Sequence, residues 1–338
     1  MKSYYNCNAF EDEVFEVKPE ISVLQSELIL KKLNKNNSAS FAKEEVEYKC
    51  KWKKQDGFNP KKPTIIISIH NYSELLKKTI HNIESNNINS HCNLIIVDDR
   101  STENIKSISE RHSYLRIDNQ KGFNFSMLNN IAALIVHKLG GTEVVFWSSD
   151  VYCVNETHFL TFLNKHRENN SAISGTKLVY PPSGISYTQE DDSLNINNNF
   201  PGMKGKWRNT VQYGSTVWVP VNNRIIPHHY RRFTAINDPK VNCDKGTNCL
   251  TGAILIINLK EYIKFGGLNP SLSKNYQDVD LCLKATEQNI NCMYFGKDIY
   301  FYHDESLTIS DKKQDKQMKS DTILFYKIWE KRILGLIT

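Results

Sequence analysis

Along the chain, apolar residues gather in short unbroken runs that alternate with stretches where they recur every third or fourth position. Thr64 to Ile69 (TIIISI) is a continuous β-branched run, the pattern of a strand buried on both faces of a parallel sheet. His70, Asn71 and Tyr72 close it, and from a Ser73 cap Leu75, Leu76, Thr79, Ile80 and Ile83 fall on one helix face. Leu94 to Val97 predicts a second buried strand running into Asp98, Asp99, Arg100 and Ser101, followed by a polar helix and a short strand around Tyr114 to Ile117. That alternation predicts a doubly wound α/β sheet, which binds ligands outside the carboxyl ends of its strands.

The rhythm continues downstream. Lys121 to Asn130 (KGFNFSMLNN) opens a helix that runs to Leu139 and stops at Gly140 and Gly141. Its first turn suits an anion, while Phe123 and Phe125 read as core. Thr142 to Val151 (TEVVFWSSDV) predicts an apolar strand ending in Ser148, Ser149 and Asp150; Asn155 caps a helix to about Arg167, and Ala172 to Tyr180 is another strand.

Ser183 to Asn248 has little periodicity and mixes Asn, Gly and Pro with Trp207, Trp218, His228 and His229. So long an irregular segment is either disordered or a lid or substrate wall, and its aromatic content favours order. Leu250 to Asn258 resumes as a strand, and Asn275 to Lys284 (NYQDVDLCLK) begins a helix ending near Gln288. Two short strands, Cys292 to Phe295 and Ile299 to Tyr302, lead to His303.

Both ends differ from this middle. Residues 1–62 read as an extension: Pro19 starts a helix with Ile21, Leu24 and Leu28 that reaches about Leu33, and Asn34 to Lys62 is a polar, basic linker. Residues 63–310 read as the main domain, with 183–248 as an irregular insertion, and 311–338 as a C-terminal helix. Asp321 to Ile337 predicts a helix with Lys327, Lys331 and Arg332 that packs on the domain or docks on a membrane surface.

Composition narrows the class. With 338 residues, 40% hydrophobic, 24% charged and a net charge of +6, the chain reads as a soluble globular protein large enough for an enzyme, with no nucleic-acid partner indicated. The eight cysteines lack a CxxC and read as reduced thiols. With no signal peptide and no apolar stretch of spanning length, the expected compartment is cytoplasmic.

Acidic residues at strand and helix ends are the candidate chemistry. Asp98 and Asp99 are either a turn-forming pair or acceptors for the imide N–H of uracil or thymine and for ribose hydroxyls. Asp150 is either a turn residue or a ligand for a hard divalent cation. Asp278 and Asp280, ahead of an apolar helix start, are either capping residues or functional carboxylates held by the helix dipole.

The order VDDRS, GFNFSMLNN, FWSSDV, GTKLVYP, LTGA, FGGLNPSL, QDVDLCLK and HDES resembles the inverting family 2 glycosyltransferases of GT-A fold. The likeness is greatest to members that build rhamnose-containing and other surface polysaccharides, and it covers roughly Pro63 to Thr308. It implies a mixed, mainly parallel Rossmann-like sheet flanked by helices. It also implies that Ser68, His70, Asp98 and Asp99 line a nucleotide pocket, that Asp150 and His303 hold a divalent cation (Mn or Mg), and that Asp278 is the catalytic base.

Asp280, Gly252 and Trp147 then face the sugar or acceptor. Two departures stand out: Ser148 occupies the first position of the family's DXD motif, and Gln277 precedes Asp278 where Glu or Asn is typical. The implied activity is transfer of a sugar from a nucleotide diphosphate donor, UDP or dTDP favoured and GDP open, to a glycan, glycolipid or glycoprotein acceptor. Because of the departures, a catalytically silent sugar-nucleotide or glycan-binding protein of the same fold is the alternative. A dinucleotide oxidoreductase is disfavoured, since no GxGxxG follows the first strand.

Overall fold

The β-branched runs do form the buried strands that their pattern predicts. The computed structural model describes residues 13–17, 48–118, 122–182, 207–221, 224–290, 292–304 and 312–337; the helix expected from Pro19 to Leu33 lies outside them. In chain order, the first half contains β1 (Glu13–Val17), β2 (Tyr48–Lys53), β3 (Thr64–Ile69), α1 (Ser73–Ser85) and β4 (Asn93–Asp99). The one-turn α2 (Ile105–Ile108), β5 (Ser113–Asp118), α3 (Phe125–Lys138) and β6 (Glu143–Trp147) complete it.

The second half begins with β7 (Val151–Cys153), α4 (Glu156–Glu168), β8 (Ile173–Thr176), β9 (Leu178–Val179) and β10 (Val211–Tyr213). It continues with β11 (Thr216–Val221), β12 (Arg224–His229), β13 (Asp244–Thr247), β14 (Ile254–Asn258), α5 (Leu259–Lys264) and α6 (Gln277–Glu287). β15 (Cys292–Phe295), β16 (Phe301–His303) and α7 (Lys312–Ile337) end the described chain.

The result is a mixed α/β sheet flanked by helices. Its strand order is β1, β2, β5, β4, β3, β6, β14, β8, β15, β13. β5, β4, β3 and β6 are mutually parallel, and β14 then runs antiparallel between β6 and β8. Ile65, Ile66, Ile67, Ile95, Ile96, Val144 and Val145 are wholly buried along the middle of this sheet. α3 covers it with Leu128, Ile131, Ala132 and Val136. Among the described residues no helix is long and apolar enough to cross a membrane.

Several elements depart from the sequence reading for identifiable reasons. Tyr48 to Lys53, read as linker, is a strand paired with β5; Cys50 and Trp52 are buried while Lys51 is exposed, the two-residue alternation of a strand packed on one face. Segment 207–248 carries β10 to β13; Trp218, Ile225 and Ile226 pack in one small cluster, Trp207 and Phe233 in another and Tyr213 in the main core, so no single long stripe marks it in the sequence. Ser73 does not cap α1; the Glu103 carboxylate does, accepting from the backbone N–H of Tyr72 at 3.1 Å and of Ser73 at 2.7 Å. α7 begins at Lys312, earlier than the Asp321 start that its apolar pattern marks.

Two expected strands are each broken in the same way. The run Thr142 to Val151 ends β6 at Trp147, turns through Ser148 to Asp150, and resumes as β7 in a second sheet ordered β10, β9, β16, β7. Ala172 to Tyr180 likewise divides at Lys177 between β8 in the main sheet and β9 in the second. Lys177 is buried, and its ammonium donates to the carbonyls of Ile236 and Gly296 and to Asn242 Oδ1, so the break is stabilised by a satisfied charge. Burial nevertheless pulls that amine down to about 8.

Candidate active site

β3 and β6 run parallel, so their carboxyl ends, at Ser68 to His70 and Ser148 to Asp150, open on the same side of the sheet. Antiparallel β14 brings its amino end to the same place: Ile254 pairs with Trp147, and the Ser148 N–H donates to the Ala253 carbonyl at 2.8 Å. A cleft of about 420 Å³ lies there. Ser68, His70, Asp150, Gly252, Asp278 and His303 all line it, so six residues scattered over the sequence meet in one place. Its size suits a small-molecule site.

Asp150 occupies the turn where the chain changes sheets. In the second sheet β16 pairs antiparallel with β7 in a register that sets His303 opposite Val151. His303 Nε2 therefore lies 3.3 Å from Asp150 Oδ1, and its Nδ1 faces Gln212 Oε1 at 3.2 Å. Burial raises the Asp150 carboxyl, but the His303 charge and hydrogen bonds from His303 and Ser148 outweigh it, so the net shift is downward. The amide oxygen of Gln212 can only accept, which leaves Nε2 of a neutral His303 with a lone pair directed at an ionised carboxylate. Two such atoms need a proton or a cation between them.

That donor pair fits a divalent cation, which commonly takes one or two protein groups and completes its shell with phosphate oxygens and water. Among the described residues no cluster of three or more His, Cys, Asp or Glu could hold a metal. A cation at this place would have Asp150 and His303 as its protein ligands, with Ser148 beside them on the cleft wall.

Asp278 stands in the first turn of α6. Its Oδ2 accepts the Gly252 N–H at 2.6 Å, and its Oδ1 the Val279 N–H at 2.8 Å. Shielding from water raises its carboxyl, backbone hydrogen bonds oppose this, and the net shift is upward. A carboxylate with a raised affinity for protons at a helix N-terminus is equipped to accept one. Gly252 permits the approach: a Cβ there would meet the Asp278 Cβ at 3.2 Å and its Oδ2 at 3.3 Å.

The remaining expected residues lie elsewhere. Asp98 is fully buried and committed: Oδ1 accepts the Ser101 N–H at 2.8 Å, while Oδ2 takes Tyr114 Oη at 2.5 Å and Arg116 at 2.9 Å. It holds the turn after β4 and does not line the cleft. Trp147 is core, its indole N–H donating to the Val151 carbonyl and its ring set edge-on against Phe301, because strand alternation turns it inward. Asp280 is fully buried between Lys284 at 2.7 Å and the Trp329 indole N–H at 2.9 Å, so it ties α6 to α7 rather than facing a sugar.

Asp99 is intermediate between these cases. Its carbonyl holds His70 Nδ1 at 2.6 Å, but both of its buried carboxylate oxygens accept no hydrogen bond among the described residues. Burial pushes that carboxyl up to about 6, opposed by Arg100 and His70. Ser68 Oγ is likewise buried and unpartnered. Sequence reading gave His229 only as part of the segment read as a lid or substrate wall and singled out none of Gln212, Lys274 and Met318, which no local pattern marks because tertiary folding alone brings them to the cleft. Phe123 and Phe125, read as core, both pack on the core and line the cleft.

Residues 64–218 match the family described as Glycosyl transferase family 2. No curated protein matches the chain. Among the solved structures that resemble it are GalNAc-T7 with UDP, GalNAc and Mn2+ at 9% identity and TM-score 0.48, covering 72% of this chain and 44% of that one; S. aureus TarS 1-349 at 15% and 0.44, covering 72% and 60%; and the mannosyltransferase PcManGT from Pyrobaculum calidifontis with GDP-Man and Mn2+ at 11% and 0.44, covering 86% and 67%. The chain thus spans less than two thirds of the length of the first two.

Proposed function

From the premise that residues 64–218 belong to glycosyl transferase family 2, we propose that this chain transfers one sugar from a nucleotide diphosphate donor, UDP or dTDP favoured, to a glycan or glycolipid acceptor with inversion at the anomeric carbon. The observation that carries this reading is the presence of Asp278 and the Asp150 and His303 pair on the walls of one cleft.

An acceptor hydroxyl is a poor nucleophile until a nearby group takes its proton. Asp278, held by the Gly252 and Val279 N–H groups and shifted toward proton binding, takes that role. The hydroxyl oxygen then bonds to the anomeric carbon as the bond to the donor's diphosphate breaks on the opposite face. Attack from one side and departure from the other inverts the centre without a covalent sugar intermediate. Ser68 and His70, with the unpartnered Asp99 carboxylate behind them, form the proposed nucleotide end of the cleft. Asp150 and His303 would hold a divalent cation, which when bound offsets charge growing on the leaving diphosphate.

The acceptor side is read as the wall contributed by Gln212 and His229. A lipid-borne acceptor would bring a membrane surface toward the outer face of α7, where Ile323 is 65% and Leu334 49% exposed beside Lys327 and Lys331.

The test incubates the protein with UDP, dTDP and GDP sugars plus manganese and measures nucleoside diphosphate release, with Asp278→Asn alongside. Release that Asp278→Asn abolishes supports the reading. Equal release by both proteins removes Asp278 from its role, and donor binding without release in either favours the silent binder.

A further inference from the structure

The first turn of α6 carries the proposed base but has no side-chain cap, and Tyr276 ahead of it holds a left-handed backbone with φ 62°. A tyrosine rarely adopts that conformation, so surrounding structure must impose it. The contacts that do so come from α7.

Asp321 of α7 is fully buried. Its Oδ2 accepts the backbone N–H of Lys274 at 2.8 Å and of Asn275 at 3.1 Å, while Oδ1 accepts from Gln317 at 2.7 Å. Phe325, one turn further, stacks on the Tyr276 ring with centroids 4.4 Å apart and planes 12° from parallel. Trp329, a turn beyond that, donates to Asp280 at 2.9 Å. Residues four apart share a helix face, so one stripe of α7 grips the chain just before Asp278, at the residue entering α6, and just after Asp278.

We propose that α7 sets the geometry of the active site, with Asp321 and Phe325 as positioning residues that fix where the Asp278 carboxylate stands; this rests on reading Asp278 as the base. A buried carboxylate accepting two backbone N–H groups makes charge-assisted bonds that solvent does not weaken. Removing it takes the acceptor from both N–H groups and lets the strained Tyr276 turn relax, carrying Asp278 with it. Displacement of a reacting group by a fraction of an ångström lowers turnover far more than it lowers binding of a substrate held elsewhere. Met318, on the same helix, already lines the cleft, so α7 is part of its wall.

The experiment measures kcat and donor KM by nucleoside diphosphate release, per folded molecule, for wild type, Asp321→Ala, Asp321→Asn, Phe325→Leu, Asp278→Asn and, as a control expected to match wild type, the exposed α7 change Lys319→Ala. Asp321→Ala is expected to lose about tenfold or more in kcat with donor KM within about twofold. Asp321→Asn recovers most of that loss, since an amide oxygen still accepts both N–H groups. Phe325→Leu, which keeps apolar volume but removes the stack, loses kcat in the same way and carries the test if Asp321→Ala does not fold. Wild-type kcat in Asp321→Ala or, failing its folding, in Phe325→Leu overturns the proposal while an inactive Asp278→Asn leaves the base intact. Wild-type turnover in Asp278→Asn instead overturns the base assignment, and this proposal with it.

Discussion

The backbone N–H of Gly252 donates to Oδ2 of Asp278 at 2.6 Å, joining the loop ahead of β14 to the first turn of α6. Neither residue signals the other in the sequence, yet the contact fixes the orientation of the carboxylate read as the base. Gly252→Ala adds a Cβ about 3.2 Å from the Asp278 Cβ, which forces that side chain to move. Turnover is expected to fall by about tenfold or more, with a melting temperature within a few degrees of wild type. Unchanged turnover would separate the loop from the chemistry.

The Asp150 and His303 pair predicts dependence on a divalent cation. Stripping the protein with a chelator is expected to abolish donor turnover, and manganese or magnesium to restore it. Calorimetry with manganese and UDP should show binding weakened by at least about tenfold in Asp150→Ala and in His303→Ala. A chelator-treated protein that keeps full turnover would mean that a shared proton, and no metal, bridges the two side chains.

Asp99 predicts a pH dependence of stability. Its folded carboxyl sits at about 6, above the ordinary value of 3.8, so the folded state binds the extra proton. The sign follows: this contribution is fully present below the unfolded value and is lost as pH rises from about 4 to about 6. Asp99→Asn, which removes the buried charge, is expected to gain on wild type across that window, by on the order of 2–3 kcal/mol once above it. Denaturant unfolding at pH 4 and pH 7.5 reads the difference, and a gap that does not widen with pH contradicts the assignment.

Asp98 predicts a loss of stability unconnected with nucleotide binding. Asp98→Ala removes the acceptor for Ser101, Tyr114 and Arg116. The expected cost is about 2–4 kcal/mol, below that of a fully orphaned buried charge because the Arg116 side chain is 29% exposed and can turn toward water. Chemical denaturation checks it; the folded fraction should bind UDP as wild type does, and selective loss of nucleotide affinity would return Asp98 to the pocket.

Much of the parallel half of the fold is legible in the sequence because its strands are continuous β-branched runs buried on both faces, and its helices are ordinary amphipathic stretches. Asn155 and Asn124 show how local such signals are, since each accepts the N–H three residues on, from His158 and Met127. β2 was legible too, in the alternation of Cys50 and Trp52 with lysines, but it is masked by a basic composition that reads as linker. The breaks at Ser148 to Asp150 and at Lys177 were not, because changing sheets depends on which partner strand is on offer.

The sequence by itself determined the strands and helices of the parallel half and which carboxylates stand near their ends, since these follow from local hydrophobic spacing and local capping chemistry. Only the tertiary structure decided what those carboxylates meet. Asp98 and Asp280 look as available as Asp150 and Asp278 along the chain, yet Arg116, Tyr114, Lys284 and Trp329 bind the first two inside the protein while the cleft receives the others. The reason is physical: a buried charge must be paired, and its partner can come from any distance along the chain.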